Sequence, residues 1–523
     1  MILALSLALL APPAPAPARP KLVVVITVDQ LRPDYFDRWK NQLTGGLFQL
    51  LSEGAVFADG FQDHAVTETA PGHSTILSGL WPAHTGIIRN TQGVQDSAAT
   101  LLGGVVGPGA SPRRFRGTTL VDWLKAADPT SRALSVSRKD RGAILPIGRA
   151  KEQVFWYQSG LFTTSRYYAD SLPAWVRVFN ARRLPFKAAN TTWSLLLPDS
   201  AYKEDDNEAW ENGGRDVLFP HRLPPDSVQA AAALVNTPMM DSLTLLFALD
   251  GLEALHLGKK GTDILAVSLS STDAVGHAFG PDSREIHDQV VRLDRYLAWF
   301  LKRVMDKIGR DNVVVVLTAD HGVTSFPERT RAKTGAQVYR VLLDTIVTAV
   351  NRDLDRLAGA GTSRQWFSFE SGMLFLQDNG RFAATGVKTD SILDVIATRM
   401  RAVPGVGRVD RVTDLARADT ASDPVARRWI HHLPPDAGVE LVVSPQPGSV
   451  WAIENLPIAM HGQPSDDDAH VPIVFWGRGV KRGVYRGRAN TVDIAPTLGR
   501  LLGVTPLSLI DGRVLTDALA PRN

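Results

Sequence analysis

The stretch KLVVVITVD, Lys21–Asp29, decides the fold. Its apolar and β-branched residues form an uninterrupted run of strand length, which is typical of a strand buried on both faces of a parallel sheet. Two later stretches repeat the pattern and also end on Asp or His, namely DILAVSLSSTD at Asp263–Asp273 and NVVVVLTADH at Asn312–His321. Because ligands of open α/β sheets bind beyond the carboxyl ends of the strands, we expect the three polar ends to meet at one edge.

Segments with an apolar spacing of three to four residues separate these strands and predict helices. The predicted helices are Leu43–Glu53, Thr118–Ala127, Val228–Leu257, Ser283–Ile308, Val338–Leu357 and Thr491–Leu502. Alternating strands and helices predict an α/β fold with a central, mostly parallel sheet flanked by helices. The run VPIVFW, Val471–Trp476, is a fourth strand, and it follows His470 rather than preceding it.

Two long intervals depart from this alternation, at about 91–260 and 322–460. The first is rich in Gly, Pro, Trp and Tyr, and the second contains short strand-like pieces such as Trp366–Leu376. We predict that both are insertions that form a lid or cap over the edge of the sheet.

The composition is that of a soluble globular enzyme, with 44% hydrophobic and 21% charged residues among 523. The net charge of +3 is too small to indicate a nucleic acid partner. The chain has no cysteine, which excludes disulfides and a thiolate nucleophile. We expect one catalytic domain at 19–523 that acts on small molecules. We also expect a monomer without a stable membrane anchor.

The N-terminal residues 1–18 have the pattern of a signal peptide. Ile2–Leu10 is an apolar run too short to span a bilayer, and the Pro/Ala-rich segment after it offers small residues for cleavage between Ala14 and Ala18. This pattern predicts export, and hence a periplasmic or secreted protein. A disordered leader is the alternative, because no Lys or Arg precedes the apolar run.

A candidate nucleophile lies in VTETAPGHSTILSGL, Val66–Leu80. Thr69 stands just ahead of a helix-like run, with Pro71 in its first turn, where a missing backbone donor costs nothing. The positive end of a helix dipole would stabilise an anion bound beside the Thr69 hydroxyl. The alternative is a simple helix cap, since Thr is common at that position.

Six more side chains at the strand ends and in a late loop could bind metal ions: Asp29, Asp273, His277, Asp320, His321 and His470. Asp273 and His277 are four positions apart, which places them on one face of a helical turn. Asp320 and His321 are adjacent, so they could serve two neighbouring ions. A mixed set of carboxylates and imidazoles suits zinc better than magnesium or calcium, so we expect two Zn²⁺ ions. His461 is the alternative to His470, which follows nine residues later.

Six motifs carry a resemblance to a known family: ITVDQLRPDY at Ile26–Tyr35, TETAPGHSTILSG at Thr67–Gly79, KDR at Lys139–Arg141, STDAVGHAFGP at Ser271–Pro281, TADHG at Thr318–Gly322 and DAHVPIVFWG at Asp468–Gly477. Together they resemble the alkaline phosphatase superfamily, and most closely its phosphate-irrepressible alkaline phosphatases of the PafA type. The resemblance covers essentially the whole mature chain and implies an alkaline-phosphatase-like sandwich.

The resemblance also implies roles for these residues. Asp29, Asp320 and His321 would hold one zinc together with Thr69. Asp273, His277 and His470 would hold the other. Thr69 would be the nucleophile that is transiently phosphorylated. A threonine hydroxyl is too weak an acid to attack at neutral pH unassisted, which is the reason a metal is needed.

Three further residues bear on which phosphate ester fits. Asn90, 21 positions after Thr69, is placed by the family pattern to donate to a non-bridging phosphate oxygen. Lys139 and Arg141 are two positions apart on a strand-like segment, which predicts that both project to the same side. Two added cations favour a phosphate monoester, which carries nearly two negative charges, over a diester, which carries one. A solvated charged turn is the alternative explanation of this pair.

The function predicted is hydrolysis of phosphate monoesters with broad substrate range. The first alternative is a phosphodiesterase or nucleotide pyrophosphatase of the same superfamily, whose members, by resemblance, lack the Lys/Arg pair. A sulfatase is disfavoured because Thr69 stands where sulfatases have the Cys or Ser that becomes formylglycine. A metal-binding protein without catalysis is the remaining alternative, and the hydroxyl at Thr69 argues against it.

Overall fold

A nine-stranded sheet lies at the centre of the computed structural model, which describes residues 19–359, 365–377, 382–453, 456 and 458–521. The predicted signal peptide, 1–18, lies outside the described residues. The strands are, in chain order, β1 (Leu22–Val28), β2 (Ala55–Phe57), β3 (Gly60–Phe61), β4 (Ala133–Ser137), β5 (Gln153–Gln158), β6 (Leu161–Thr163), β7 (Thr192–Trp193), β8 (His221–Arg222), β9 (Asp263–Leu269), β10 (Val313–Thr318), β11 (Arg340–Val341), β12 (Phe367–Glu370), β13 (Met373–Leu376), β14 (Val406–Arg411), β15 (Val439–Pro445), β16 (Val450–Trp451), β17 (Ile473–Gly477), β18 (Gly483–Tyr485) and β19 (Ala489–Asn490).

The α-helices are, in the same order, α1 (Asp34–Arg38), α2 (Gly46–Glu53), α3 (Thr69–Ile76), α4 (Pro82–Thr85), α5 (Leu120–Ala127), α6 (Asp140–Ile144), α7 (Ala174–Ala181), α8 (Ser227–Ala233), α9 (Met239–Ala254), α10 (Ser271–Phe279), α11 (Arg284–Ile308), α12 (Pro327–Thr334), α13 (Asp344–Leu357), α14 (Thr389–Arg401), α15 (Val412–Leu415), α16 (Pro424–His432), α17 (Asp466–Ala469) and α18 (Ile494–Leu502).

The central sheet has the strand order β18-β2-β17-β10-β1-β9-β4-β5-β6. Its five middle strands, from β10 to β5, are parallel, whereas β17 and β6 join antiparallel. Every residue of β1 is buried, as its continuous apolar run predicts. The predicted α/β class is confirmed, with a mixed rather than purely parallel sheet.

Helices cover both faces of this sheet. One face packs against α2, α9 and α11 through residues such as Leu50, Phe247 and Val290. The opposite face packs against α5, α6 and α18 through residues such as Trp123 and Ile144. Each helix contributes one apolar side to the core, so the molecule has the three layers expected when helices flank a buried sheet.

Residues 322–460 include a second, smaller sheet with the order β12-β13-β15-β14. It packs against α13 and α14 around its own apolar core, which contains Phe367, Leu374 and Ile396. Trp366–Leu376 forms the hairpin of β12 and β13, in agreement with the short strands predicted there. The small sheet with its helices, here called the small subdomain, stands beside the central layers.

The interval 91–260 differs from the prediction, because β4, β5 and β6 within it belong to the central sheet. The predicted helix Val228–Leu257 is also broken. Thr237 is extended (φ −130°, ψ 159°) ahead of Pro238, which disfavours helical backbone in the residue before it. The two halves meet at 94° and together satisfy the length and composition of a membrane span, but no single helix among the described residues does so.

Candidate active site

The register of three parallel strands brings the predicted ligands together. Val28 at the end of β1 is paired with Leu269 of β9, and Thr27 with Thr318 of β10. The three strands therefore end at nearly the same level. Asp29 follows β1 directly, Asp320 follows β10, and Asp273 lies in the first turn of α10 just beyond β9. The prediction that the polar ends share one edge of the sheet agrees with this geometry.

Helix α3 carries Thr69 against this edge. Thr69 is the first residue of the helix, and the cap position belongs to Glu68, so the simple cap predicted as an alternative is displaced by one residue. Gly72 permits the close packing, because a Cβ at this position would lie 2.2 Å from the carbonyl oxygen of Asp320. A side chain there would push Thr69 away from the ligands.

Asp29, Asp320 and His321 form the first group of candidate metal ligands. One ligand atom from each lies within 4.8 Å of the others. His321 Nε2 is 3.3 Å from Asp29 Oδ1 and 3.7 Å from Asp320 Oδ2. His321 Nδ1 lies 2.9 Å from the carbonyl oxygen of Gly322, which turns Nε2 towards the carboxylates.

Asp273, His277 and His461 form the second group. His277 Nε2 is 3.2 Å from Asp273 Oδ1, and His461 Nε2 is 3.2 Å from His277 Nε2 and 3.6 Å from Asp273 Oδ1. Both imidazoles are oriented by backbone carbonyls on their Nδ1 atoms, Ala459 for His277 and Thr67 for His461. His321 lies close to this group as well, and its ring stacks on that of His461 at 3.7 Å.

His470 is not in this cluster, which corrects the prediction. Its Nε2 is 3.2 Å from the carbonyl oxygen of Ala58, and its ring stacks on Phe61 at 5.0 Å. His461 takes its place because Met460 pairs with Thr324, three residues beyond His321. That pairing carries the next residue, His461, under the imidazole of His321. His461, the alternative weighed from the sequence, is thus the histidine that the fold brings to this cluster.

The donors in this cluster fit a bound cation. Asp29 Oδ1 and His321 Nε2 are buried and form no hydrogen bond among the described residues, although they lie 3.3 Å apart. Asp29 Oδ2 and Asp320 Oδ2 are also buried, and the groups they meet among those residues are the ionisable side chains of Lys139 and His73. Buried carboxylate oxygens without partners are costly, and a metal ion would satisfy them. Oxygen and imidazole nitrogen together are the donor set that zinc accepts.

Burial and the neighbouring charges shift the pKa values of these groups. Burial alone would raise the pKa of Asp320, but the imidazoles of His321 and His73 outweigh it and hold the pKa below its ordinary range. Burial opposes protonation of His321, yet the carboxylates of Asp320 and Asp29 raise its pKa to about 9. Burial, reinforced by His321, lowers the pKa of His461 to about 3, which keeps the lone pair on this imidazole available for a cation.

Lys139 lies between Thr69 and both groups of candidate metal ligands. Its Nζ is 3.1 Å from Thr69 Oγ1, 2.7 Å from Asp273 Oδ2 and 2.5 Å from Asp29 Oδ2. The side chain is only 5% exposed, so the alternative of a solvated charged turn does not hold for this residue. The expected strand geometry is wrong, because Lys139 caps the short helix α6 and Arg141 lies within it.

Asn90 and Arg141 lie near the start of α3. Asn90 Oδ1 accepts a hydrogen bond from the backbone N–H of Ala70 at 2.9 Å, next to Thr69. Arg141 is partly buried, and its Nε has no partner among the described atoms. The side chain of Asn90 therefore contacts the residue that follows Thr69, while Arg141 has one donor without a partner among the described residues.

Two residues that contact the candidate ligands were not among the ligands predicted from the sequence. Gln30 donates from Nε2 to Asp273 Oδ1 at 3.1 Å and from its backbone N–H to Asp320 Oδ1 at 3.3 Å. His73 also contacts a candidate ligand, with Nδ1 3.1 Å from Asp320 Oδ2. Spacing could have flagged both, since Gln30 follows Asp29 and His73 lies one helical turn after Thr69.

Comparison with known proteins agrees with this geometry. A family profile described as "Type I phosphodiesterase / nucleotide pyrophosphatase" matches residues 23–356. The chain belongs to this family, within the alkaline phosphatase superfamily. That profile spans all of the candidate site residues up to His321 but stops before His461.

Relatives of this phosphodiesterase-family chain match over nearly their whole length. Alkaline phosphatase PhoV of Synechococcus elongatus is 33% identical over 96% of this chain and 93% of its own. Alkaline phosphatase PhoK of Sphingomonas sp. is 34% identical over 95% and 91%. Alkaline phosphatase PafA of Elizabethkingia meningoseptica is 31% identical over 96% and 95%. These relatives support a phosphoric monoester hydrolase.

Two solved structures share the fold of this chain. The crystal structure of wild-type alkaline phosphatase PafA superposes with a TM-score of 0.88 at 30% identity, covering 97% of this chain and all of that one. Murine ectonucleotide pyrophosphatase/phosphodiesterase 5 superposes with a TM-score of 0.55 at 14% identity, covering 95% of this chain and 100% of that one. The second likeness concerns the fold alone.

Proposed function

We propose that this protein is an exported two-zinc alkaline phosphatase that hydrolyses a broad range of phosphate monoesters through Thr69. The observation that carries the proposal is the position of Lys139, whose ammonium group lies against Thr69 Oγ1 between Asp29 and Asp273. A buried cation beside the attacking oxygen favours the more highly charged ester, and the whole-chain likeness to alkaline phosphatases points to the same substrates.

In the proposed reaction Thr69 Oγ1 attacks the phosphorus atom in line with the ester oxygen. The Thr69 hydroxyl gives up its proton as a new O–P bond forms, the bond to the ester oxygen breaks, and that oxygen takes up a proton so that the alcohol leaves. Water then cleaves the phosphothreonine, which restores the hydroxyl and releases inorganic phosphate. Each half-reaction is a displacement at phosphorus, for which positioning and charge stabilisation are the main tasks of the protein.

Seven residues would hold the two zinc ions. Asp29, Asp320 and His321, with Thr69, would bind one, and Asp273, His277 and His461 would bind the other. Bound there, zinc would lower the pKa of the Thr69 hydroxyl and offset the charge that develops on the attacking and leaving oxygens. Metal analysis of the purified protein tests this, with about two zinc ions per chain expected and a single ion or none contradicting it.

The chain's own cations and amides bind the transferred phosphate. The ammonium of Lys139 faces the attacking oxygen at 3.1 Å. Arg141 has a buried Nε–H without a partner among the described residues, which can donate to a phosphate oxygen. Because Asn90 Oδ1 is occupied by Ala70 N–H, its NH₂ group is left to donate to a non-bridging oxygen.

The alternative is a phosphodiesterase or nucleotide pyrophosphatase, which the name of the family profile favours. An assay of a simple aryl phosphate against its methyl or nucleotide diester separates the two. We expect the monoester to have the higher kcat/KM. A faster diester would overturn the proposal.

Export rests on the pattern in residues 1–18. Expression of the full chain in a Gram-negative host, followed by cell fractionation and N-terminal sequencing, tests it. We expect active protein outside the cytoplasm whose N-terminus lies shortly after Ala14–Ala18. An uncleaved chain that stays in the cytoplasm would contradict this part of the proposal while leaving the chemistry untouched.

A further inference from the structure

The turn between β12 and β13, residues 370–372 of the small subdomain, contacts the segment that carries Asn90. The Glu370 carboxylate accepts a hydrogen bond from Arg89 Nη1 at 2.7 Å through Oε2. Its other oxygen, Oε1, accepts from the Thr91 hydroxyl. Arg89 and Thr91 are the two chain neighbours of Asn90, so one carboxylate binds the side chains on both sides of it.

A second set of contacts reaches Asn90 from the same turn. The Ser371 hydroxyl donates to Glu68 Oε1 at 2.6 Å. Glu68 Oε2 in turn accepts the backbone N–H of Asn90 at 2.8 Å. Glu68 stands at the cap position of α3 without a side-chain hydrogen bond to the helix. The chain of hydrogen bonds therefore runs from the small subdomain through Glu68 to Asn90, whose Oδ1 accepts from the Ala70 N–H in that helix.

The turn packs closely against its own sheet. Gly372 has φ +80°, and a Cβ there would lie 2.7 Å from the carbonyl oxygen of Val443 in β15, so the turn is pressed onto its own sheet. The Arg89 guanidinium also lies over the ring of Phe375 in β13, 4.3 Å from its centre. The side chain of Arg89 is only 13% exposed, which limits screening of its pair with Glu370.

We propose that Glu370 and Ser371 are positioning residues that set Asn90 against the transferred phosphate. The inference rests on the proposed function, because it assumes that Asn90 donates to the substrate. Neither residue touches the reacting atoms. Their effect would come through geometry, since a shift of about 1 Å in a substrate-binding group can cost up to about a hundredfold in rate.

A double-mutant cycle tests the proposal on the full chain with its metals. The variants are Glu370→Ala, Asn90→Ala and the two combined, assayed for kcat and KM with an aryl phosphate monoester. We expect Glu370→Ala to lower kcat/KM by about tenfold or more in the wild-type background. In the Asn90→Ala background the same change should cost less than about twofold, because the residue it positions is already gone.

Ser371→Ala is the second variant, because it removes one hydrogen bond and leaves the Arg89–Glu370 pair intact. We expect the same non-additivity with Asn90→Ala and a smaller loss. Glu370→Gln should recover part of the activity, since its amide oxygen still accepts from Thr91. A purely structural role would instead lower the melting temperature and give losses that add to that of Asn90→Ala.

Asp436→Ala is the matched control. Asp436, in the loop before β15, forms an ion pair with Arg116, in the segment before α5, with Arg116 Nη2 at 2.6 Å. Asp436 flanks no candidate site residue. We expect its kcat and KM to match the wild type. Fully additive losses for Glu370→Ala, or wild-type activity in it while Asn90→Ala is impaired, would overturn the positioning inference alone. Wild-type monoesterase activity in Asn90→Ala would overturn the proposed role of Asn90 and this inference with it.

Discussion

Replacement of Lys139 by alanine should separate monoesterase from diesterase activity. The Lys139 ammonium lies 3.1 Å from Thr69 Oγ1 in a nearly fully buried position, so little water screens it. A charge-assisted hydrogen bond of this kind contributes about 1.5–3 kcal/mol. Since each 1.36 kcal/mol is tenfold in rate, kcat/KM for a monoester should fall by about 10- to 160-fold.

The loss for a diester should be smaller. A diester carries about half the charge of a monoester near neutral pH, so the electrostatic part of the loss should be about half as large in free energy, or roughly 3- to 10-fold in rate. The assay compares kcat/KM of an aryl phosphate and its methyl diester in wild type and Lys139→Ala. Equal losses on both esters would refute the reasoning.

Two controls test whether the loss of activity is specific to Lys139 and its contact with substrate. Lys302→Ala removes an exposed lysine that pairs with Asp306 one helical turn later, and it should leave both activities unchanged. Zinc content should be measured in Lys139→Ala. Removing a cation that pairs with Asp29 and Asp273 should not weaken metal binding, so a loss of activity at full zinc content reports on the substrate.

Further predictions follow from the other groups of the site and the core. Thr69→Ala should abolish turnover and any covalently bound phosphate seen by mass spectrometry, whereas Thr69→Ser should keep measurable activity; unchanged turnover in Thr69→Ala would indicate another nucleophile. His461→Ala should lose bound zinc and most activity, whereas His470→Ala should lose little, and the reverse order would contradict the ligand assignment. Chelation should remove activity and added zinc should restore it, with recovery by magnesium alone counting against zinc. Burial and the carboxylate of Glu285 raise the pKa of Glu211 to about 9. The folding stability that goes with a protonated Glu211 is therefore fully present below about pH 4.5 and is lost as the pH rises through 9. Glu211→Gln should therefore raise the melting temperature at pH 7–8 and have little effect near pH 4; no gain at neutral pH would contradict this.

Much of the site could be read from strand ends because parallel strands in register must deliver their next residues to the same edge. The strand register brings Asp29, Asp273 and Asp320 to that edge, and the helical spacing brings His277 next to Asp273. Thr69 was found because a hydroxyl ahead of a helix has a recognisable local pattern.

The late histidine could not be assigned in the same way. His461 and His470 both lie in loops, and which one reaches the ligands depends on the pairing of Met460 with Thr324, a contact between distant segments that leaves no periodic pattern. The strands within 91–260 were missed for a related reason. Their place in the sheet depends on partners such as β9, and a short strand next to Gly- and Pro-rich loops resembles an insertion when read locally.

Asp29 and His461 lie near opposite ends of the chain, yet their side chains meet around His321. Folding must therefore be close to complete before a full set of ligands exists, so a partly synthesised or truncated chain offers only fragments of a binding site. For a protein that crosses a membrane unfolded, this order of events would delay metal uptake until after translocation, and the metal supply of the final compartment would then decide which ion is acquired.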